Sequence, residues 1–371
     1  MFWATRATLM WLLYFVFLPI VWVIQRSRRL SGKAPSPRLA IEAGVKGWEL
    51  IEFKELLSSA EEFLPSLVSP VKIENQDSIL GYVREVTRAV KREGVSHYHY
   101  DPRTGPQGFT SAVATSVLLA VYFSWARVVP ICKLTDFGVF MHRWQVAIVS
   151  AASGVVLSLQ APASFSRVFP HTRIFGPFPM AFSSASAEKI IEASSGWARK
   201  RRGLGFVGRL NYPRSRILNQ VEQGLNLSIV PVEMQLQVSD ENSRQRLPES
   251  TYWQELGSTQ FGLTTTAHTE AEYVDLADSN HLVYRVFEIP LTGSLLVAQE
   301  TSGFRRFFRP EVDSIWFNNP SQVGNQLEGL LREPDHLQRI AERGRQRVLS
   351  LARAGVYWLL VDTVLGRESI Y

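Results

Sequence analysis

The chain has 371 residues, 46% of them hydrophobic, and a net charge of +6 at neutral pH. That length can bury one large core or two of ordinary domain size, and two is the better expectation. A lone cysteine, Cys132, excludes an internal disulfide framework and any cysteine-based zinc site, while the positive balance favours an anionic partner without choosing among nucleic acid, acidic lipid and phosphorylated small molecules.

The first element is Ala7 to Ile24, an uncharged apolar run about long enough to cross a bilayer at roughly 1.5 Å per residue. Arg26, Arg28, Arg29 and Lys33 follow it, and no small-residue cleavage site does. A cleaved signal peptide carries its charges in front, so residues 1–30 read as an uncleaved anchor. The positive flank then predicts that the rest of the chain lies on the cytoplasmic side. Pro19 and Trp22 leave open a helix that lies in the interface instead of spanning. Residues 31–44 read as a polar, proline-containing linker.

From residue 45 onward, strand-like and helix-like stretches alternate. Strands are expected at Val95 to Tyr100, Val128 to Cys132, Val155 to Leu159, Leu204 to Val207, Leu227 to Val232, Thr259 to Leu263, Ser294 to Ala298 and Ser314 to Phe317. Helices are expected at Ser78 to Arg92, Ser111 to Trp125, Pro213 to Gln223 and Asp335 to Ala352. The alternation predicts an α/β fold with parallel sheets. The apolar helix near residues 111–125 is short for a membrane span and reads as a buried helix. A basic break, Ser194 to Gly203, divides a first domain at 45–195 from a second at 196–371.

Four short motifs carry chemical suggestions. Gly203 to Gly208 spells G-x-G-x-x-G, but a dinucleotide site needs a strand before that motif, and here Leu204, Phe206 and Val207 make the motif itself the strand. Gly208 then stands between a strand end and a helix start, where a phosphate can approach the backbone. Asp136 to Gly138 spells the kinase metal-binding triplet without the other kinase elements, so only the position of Asp136 beyond a strand end is informative. His97, His99 and Asp101 alternate on one strand face. Their His-x-His-x-Asp spacing resembles part of a metallo-hydrolase motif, which continues with another histidine where this chain has Pro102. A metal site, a structural pair and a substrate-side role all remain open there. The basic run Arg199 to Arg202 has no helix-turn-helix, zinc finger or aromatic RNA-binding signature beside it, so nucleic acid is not the expected partner and a solvated linker or lipid contact is.

Around a further stretch, Tyr284 to Thr301, the residues Leu282, Val283, Val286 and Phe287 predict one buried helix face capped by Asp278 or Ser279. Arg285 and Glu288 fall together on another side, either as an ordinary surface ion pair or as a guanidinium for phosphate beside a carboxylate for sugar hydroxyls. Pro290 and Gly293 end the helix before a short strand.

The segments "FVGRLNYPRSRIL", "TYWQELGSTQFGLTTT", "YRVFEIPLTGSLLVAQET" and "REPDHLQRIAERGRQRVL" together resemble the C-terminal half of GT-B glycosyltransferases, most closely the spore-maturation (CgeB-type) group. The resemblance covers roughly residues 204 to 351. It implies a GT-B fold of two Rossmann-like domains facing across a cleft, with a nucleotide-sugar donor on the second. It further implies that Glu288 binds the donor ribose, that Arg285 and Arg209 face the diphosphate, that Gly208 allows close approach, and that Thr301 and Ser302 lie near the sugar or phosphate. The donor is a co-substrate, and no cofactor or catalytic metal is implied, because a positive pocket stabilises the leaving diphosphate. Asp101, His99 and Asp136 are the candidates for activating an acceptor hydroxyl. Many members have a second acidic residue eight positions before the glutamate; Asn280 stands there, leaving the sugar and the stereochemical outcome open. The expected protein is a membrane-anchored, cytoplasm-facing glycosyltransferase whose anchor and basic surface suit a lipid-linked or envelope-glycan acceptor and equally a soluble one made near the membrane. Its rivals are a metal-dependent hydrolase built on His97, His99 and Asp101, and a non-catalytic membrane scaffold on a degenerate GT-B fold.

Overall fold

The computed structural model describes residues 16–17, 19–24, 37–43, 50–74, 76–106, 108–134, 140–151, 154–158, 173–208, 214–225, 236–237, 249–265, 282–301 and 303–368. Most of the apolar run Ala7 to Ile24 lies outside them, and its described part, residues 16–17 and 19–24, is helical. Two compact units result: Met1–Phe178 together with Tyr357–Tyr371, and Pro179–Val356.

The N-terminal unit alternates strand and helix in the order β1 Leu39–Ala43, α1 Leu50–Phe63, β2 Val68–Lys72, α2 Ile79–Glu93, β3 His97–Tyr100, α3 Phe109–Ala126, β4 Val129–Leu134, α4 Phe140–Ser150, β5 Val155–Ser158 and β6 Arg173–Phe175. The strands form one parallel sheet ordered β2-β1-β3-β4-β5-β6. The stretch expected to be linker therefore contains β1, which is hydrogen-bonded on both sides. Its five residues, LAIEA, carry a glutamate in place of an unbroken apolar run, which hides the strand from a pattern search. β2 contains Pro70 and is the edge strand, where a missing backbone donor is tolerated.

The helices follow local chemistry. Ser78 caps α2 by accepting from the Gly81 amide, and Gly94, at φ 59°, closes it in the left-handed region that glycine enters without cost. Tyr82, Val86, Ala89 and Val90 form its buried face. In α3, Leu119, Ala120 and Phe123 are wholly buried. Among the described residues two stretches, Phe109–Ala126 and Pro334–Gly366, the latter running over two successive helices, are long and apolar enough to cross a membrane by length and composition.

At the carboxyl end of β1 the Glu42 side chain is buried, and its Oε1 accepts hydrogen bonds from the Tyr82 and Tyr98 hydroxyls, each at 2.5 Å. Burial pushes this carboxyl up from an ordinary 4.5 to about 7; the two tyrosines and Thr104 pull it partly back, and the nearby Asp101 adds to the rise. A raised folded-state pKa means that the contribution is fully present below about pH 4.5 and is lost as pH rises through about 7. Buried His97 acts oppositely: burial lowers its ring from 6.5 to about 4, so its contribution is present above 6.5 and is lost as pH falls toward 4. Glu42→Gln, which mimics the protonated acid, isolates the first effect. At pH 8 it should be more stable than the natural protein by about 3 kcal/mol, with the gain gone at pH 4.5. Urea melts at the two pH values read this directly, and a gain of equal size at both would show that Glu42 is not the titrating group.

The C-terminal unit runs α5 Ser184–Ala193, β7 Arg201–Val207, α6 Arg214–Gly224, β8 Leu236–Gln237, α7 Glu249–Leu256, β9 Thr259–Thr264, α8 Arg285–Leu291, β10 Leu295–Gln299, β11 Ile315–Phe317, α9 Val323–Leu330 and α10 Pro334–Arg353. Its parallel sheet is ordered β11-β10-β9-β7-β8. The expected strand Leu227 to Val232 lies outside the described residues. Leu204, Phe206, Phe261, Leu263, Leu295, Val297 and Ile315 point into a core closed by Leu218, Leu337 and Ile340 from the helices. Small residues set the close approaches: a Cβ on Gly205 would lie 2.5 Å from the Thr259 hydroxyl, and one on Gly262 would lie 2.5 Å from an Ile289 methyl. Gly205, inside the G-x-G-x-x-G stretch, thus serves strand packing, as expected of a motif that is itself the strand. At the far side, a Cβ on Gly324 would overlap the Gly224 carbonyl oxygen.

Two corrections apply to the expected division at 195/196. α5 packs against α7 and α10, so the second unit starts earlier, at Pro179. The last helix, α11 Val356–Glu368, belongs with the first unit: Trp358 Nε1 donates to Ser59 Oγ at 2.9 Å, and the Tyr357 hydroxyl lies 2.6 Å from His99 Nε2. A single cut in sequence misses a unit whose core is completed by a later helix.

Candidate functional site

Strand order decides where each sheet can hold a ligand. In the C-terminal unit the chain runs from β7 outward to β8 and then returns to β9 on the other side of β7. The carboxyl ends of β7 and β9 flank that reversal, which is where open parallel sheets bind ligands. Gly208 ends β7, Thr264 and Thr265 end β9, and Thr301 follows β10.

α8 brings the arginine and the glutamate to this edge. It begins at Arg285, three residues later than the sequence pattern suggests, so Leu282 is buried ahead of the helix and not on its face. The expected caps Asp278 and Ser279 lie outside the described residues. The Arg285 guanidinium lies against the α-carbon of Gly208: a Cβ there would be 2.7 Å from its nearest nitrogen. It also sits over the Phe206 ring at 5.5 Å, with Arg214, the first residue of α6, over the same ring at 5.8 Å. Among the described residues nothing accepts a hydrogen bond from the buried Arg285 Nε–H.

Glu288 is only 8% exposed and belongs to the first turn of α8, where the helix dipole favours a carboxylate. Its Oε2 accepts a 2.5 Å hydrogen bond from the Tyr252 hydroxyl of α7. No ion pair joins Arg285 and Glu288, so the surface-pair reading does not hold. The two charges have separate surroundings, an arrangement that leaves the guanidinium open to an anion.

Two further groups went unnoticed in the sequence. The hydroxyls of Thr264 and Thr265 are buried at the end of β9 and have no hydrogen-bond partner among the described residues. Native interiors rarely leave such groups unsatisfied, and these two stand at the end of a strand that flanks the strand-order reversal. The polar run after β9 was the available signal, but its meaning depends on knowing which strand β9 pairs with. Thr301 Oγ1 accepts the Phe304 amide at 3.2 Å and so shapes the turn after β10. Arg209 and Ser302 lie outside the described residues.

In the N-terminal unit the reversal falls between β1 and β3. Asp101 stands just past β3, but both its oxygens are taken: Oδ1 accepts from the backbone and Nε of Arg103 at 3.0 and 2.8 Å, and Oδ2 from the guanidinium at 2.6 Å. His99 is buried against Tyr357. His97 Nδ1 lies 2.8 Å from the Ser96 hydroxyl. The three residues of the His-x-His-x-Asp stretch thus engage three different partners. Among the described residues no group of three or more His, Cys, Asp or Glu side chains is placed to hold a metal ion. Asp136 lies outside the described residues.

Comparison with known proteins bears on the same unit. Residues 198–354 match the family model described as "Glycosyl transferase-like", wholly within the C-terminal unit. Over nearly its whole length the chain is similar to solved structures. One is HepE of Anabaena, solved with UDP and glucose, at 11% identity and a TM-score of 0.53, covering 87% of this chain and 100% of that one. Another is sucrose-phosphate synthase of Thermosynechococcus elongatus, at 13% identity and a TM-score of 0.55, covering 89% and 100%. A third is a glycosyltransferase of Rickettsia africae, at 10% identity and a TM-score of 0.52, covering 92% and 99%. No curated protein sequence matches. The fold is the α/β, GT-B-like one.

Proposed function

We propose, from that shared GT-B fold, that this chain transfers a sugar from a nucleotide-diphosphate donor to an acceptor hydroxyl. The observation that carries the reading is the group at the carboxyl edge of the C-terminal sheet: Gly208 without a side chain, the Arg285 guanidinium laid against it with an unfilled nitrogen, and buried Glu288 held by Tyr252. The match over residues 198–354 and the UDP in the Anabaena structure support it. In this reading the diphosphate lies along Gly208 and meets Arg285, with Arg209 beside it. Thr301 and Ser302 border the sugar or phosphate, and Glu288 accepts the ribose hydroxyls. When the glycosidic bond to the diphosphate breaks, negative charge grows on the leaving oxygen, and a fixed guanidinium stabilises it more than the ground state. In this reading the acceptor hydroxyl gives up its proton to His99 or Asp101, at the carboxyl edge of the N-terminal sheet, or to Asp136, which lies outside the described residues. Asp101 would have to yield its bonds to Arg103 to take it. The anchor reading of residues 1–30, with the rest of the chain cytoplasmic and an acceptor of the lipid-linked or envelope-glycan kind, rests on the apolar run and its basic flank.

The test is thermal melting of the full chain in detergent with UDP, GDP, ADP, CMP and their sugars. A ligand at a hundred times its Kd stabilises by about 2.7 kcal/mol, a readily visible shift. At least one nucleotide diphosphate should raise the Tm. Gly208→Ala should shrink that shift through an affinity loss of about tenfold, read against the variant's own lowered unliganded Tm, because Gly208 sits at φ 158°, where a side chain is strained, and the added methyl meets the Arg285 guanidinium. No shift with any nucleotide would remove the reading.

A further inference from the structure

The opposite edge of the C-terminal sheet holds a second polar cluster that the donor reading does not use. There the turns that lead into β7, β9 and β10 meet around Lys200. The Lys200 ammonium is buried and donates to the carbonyls of Gly257 and Thr292, the latter at 2.9 Å. No carboxylate is paired with it among the described residues. A buried ammonium held only by carbonyl dipoles keeps its positive charge uncompensated.

A second cation lies beside it. The Arg345 guanidinium of α10 packs onto Gly293, where any Cβ would overlap it, and its buried Nε has no hydrogen-bond partner among the described residues. Among the described residues its one acidic neighbour is Glu342, which forms a loose ion pair with it at 3.6 Å, beyond hydrogen-bond range, with the other oxygen of that carboxylate accepting from the Gln346 amide at 2.9 Å. The two positive charges feel one another: burial first, and then Arg345, lower Lys200 from an ordinary 10.5 to about 8. In front of Arg345 opens a cavity of about 170 Å³ lined by Gly196, Trp197, Gly293, Gln338, Glu342 and Arg345.

We propose that this cavity is a binding site for a small oxyanion, a phosphate group taken by the Arg345 guanidinium with the Lys200 charge behind it. The fork of an arginine matches phosphate oxygens in pairs, and the unfilled Nε supplies one arm of such a contact. Size sets the class of ligand. Pockets for drug-sized ligands run to about 300–1,000 Å³, so a cavity of this volume takes free phosphate or a phosphate ester with a small substituent, not a nucleotide. Trp197 gives it an apolar wall, and Gln338 and Glu342 can hydrogen-bond a hydroxylated substituent. The site stands independently of the donor reading, being at the other end of the strands.

Inorganic phosphate and glucose 1-phosphate, each titrated into the full chain with chloride balancing ionic strength, separate the two sources of the same group. Either should raise the Tm saturably, and the ratio of the two affinities tells whether the free ion or the ester is preferred. Arg345→Gln should weaken the effect at least tenfold, with Arg345→Lys intermediate, whereas Arg285→Ala should leave it in place. Saturable broadening of the phosphate ³¹P resonance by the natural protein gives a readout that depends on no variant. The proposal is overturned if that broadening is absent, if Arg345→Gln leaves the affinity intact, or if Arg285→Ala abolishes it, the last placing phosphate in the donor site.

Discussion

Glutamine in place of Glu288 should lower kcat/KM for the nucleotide-sugar donor by about 10²-fold, with the loss falling on the donor KM. A hydrogen bond to a charged group contributes about 1.5–3 kcal/mol, and the substitution turns a carboxylate that accepts from two ribose hydroxyls into a neutral amide with one acceptor. The fold should not suffer, because Tyr252 can still donate to the amide oxygen. A donor lacking the ribose 2′-hydroxyl makes the assignment sharper. The natural protein should discriminate against it, and the variant should treat both donors nearly alike, since the contact being scored is gone in each case. Equal discrimination by both proteins would show that Glu288 does not hold the ribose, even if the protein proves to be a transferase.

The largest stability effect is expected at Gly324, the second residue of α9. There the helix meets the end of α6 backbone to backbone: a Cβ on Gly324 would overlap the Gly224 carbonyl oxygen, and one on Gly224 would overlap that of Ser321. Side-chain tips can swing away from an intruding methyl, but a carbonyl in a helix moves only with its helix. Overpacking of a closed core costs about 1–3 kcal/mol, and here the contact is rigid, so Gly324→Val should cost about 3 kcal/mol. For a unit of this size that is about 6–12 °C in Tm. Gly329→Ala, where the added methyl meets nothing within 4 Å, is the matched control and should be neutral or slightly stabilising. Similar melting of the two variants would mean that α6 and α9 part easily.

The features legible in the sequence are those that depend on near neighbours. α6 and α10 fall within a residue of their expected spans because periodicity and flanking prolines act locally. β7 was readable as a strand because its apolar residues alternate with glycines. β1 was not, since Glu42 breaks the pattern and is accommodated only by Tyr82 and Tyr98, 40 and 56 residues further along. The same holds at the site. Arg285 and Glu288 stand out by spacing, but that they ignore one another follows from Tyr252 and Phe206, which other elements deliver. Thr264 and Thr265 gain meaning only from strand order. A tyrosine in "TYWQELG" cannot announce that its hydroxyl will meet a carboxylate 36 residues away.

The return of α11 to the first unit has a consequence for how the protein is made. Tyr357 and Trp358 are among its largest fully buried side chains, and Val361, Val364 and Leu365 are buried beside them. Domains generally fold as units while the chain is being synthesised. On the ribosome, then, every residue of the second unit emerges before the first unit has its last helix. The unit that starts to appear first is the last to be complete, and it must wait with a gap in its core while nearly 180 residues of another globule are translated and fold.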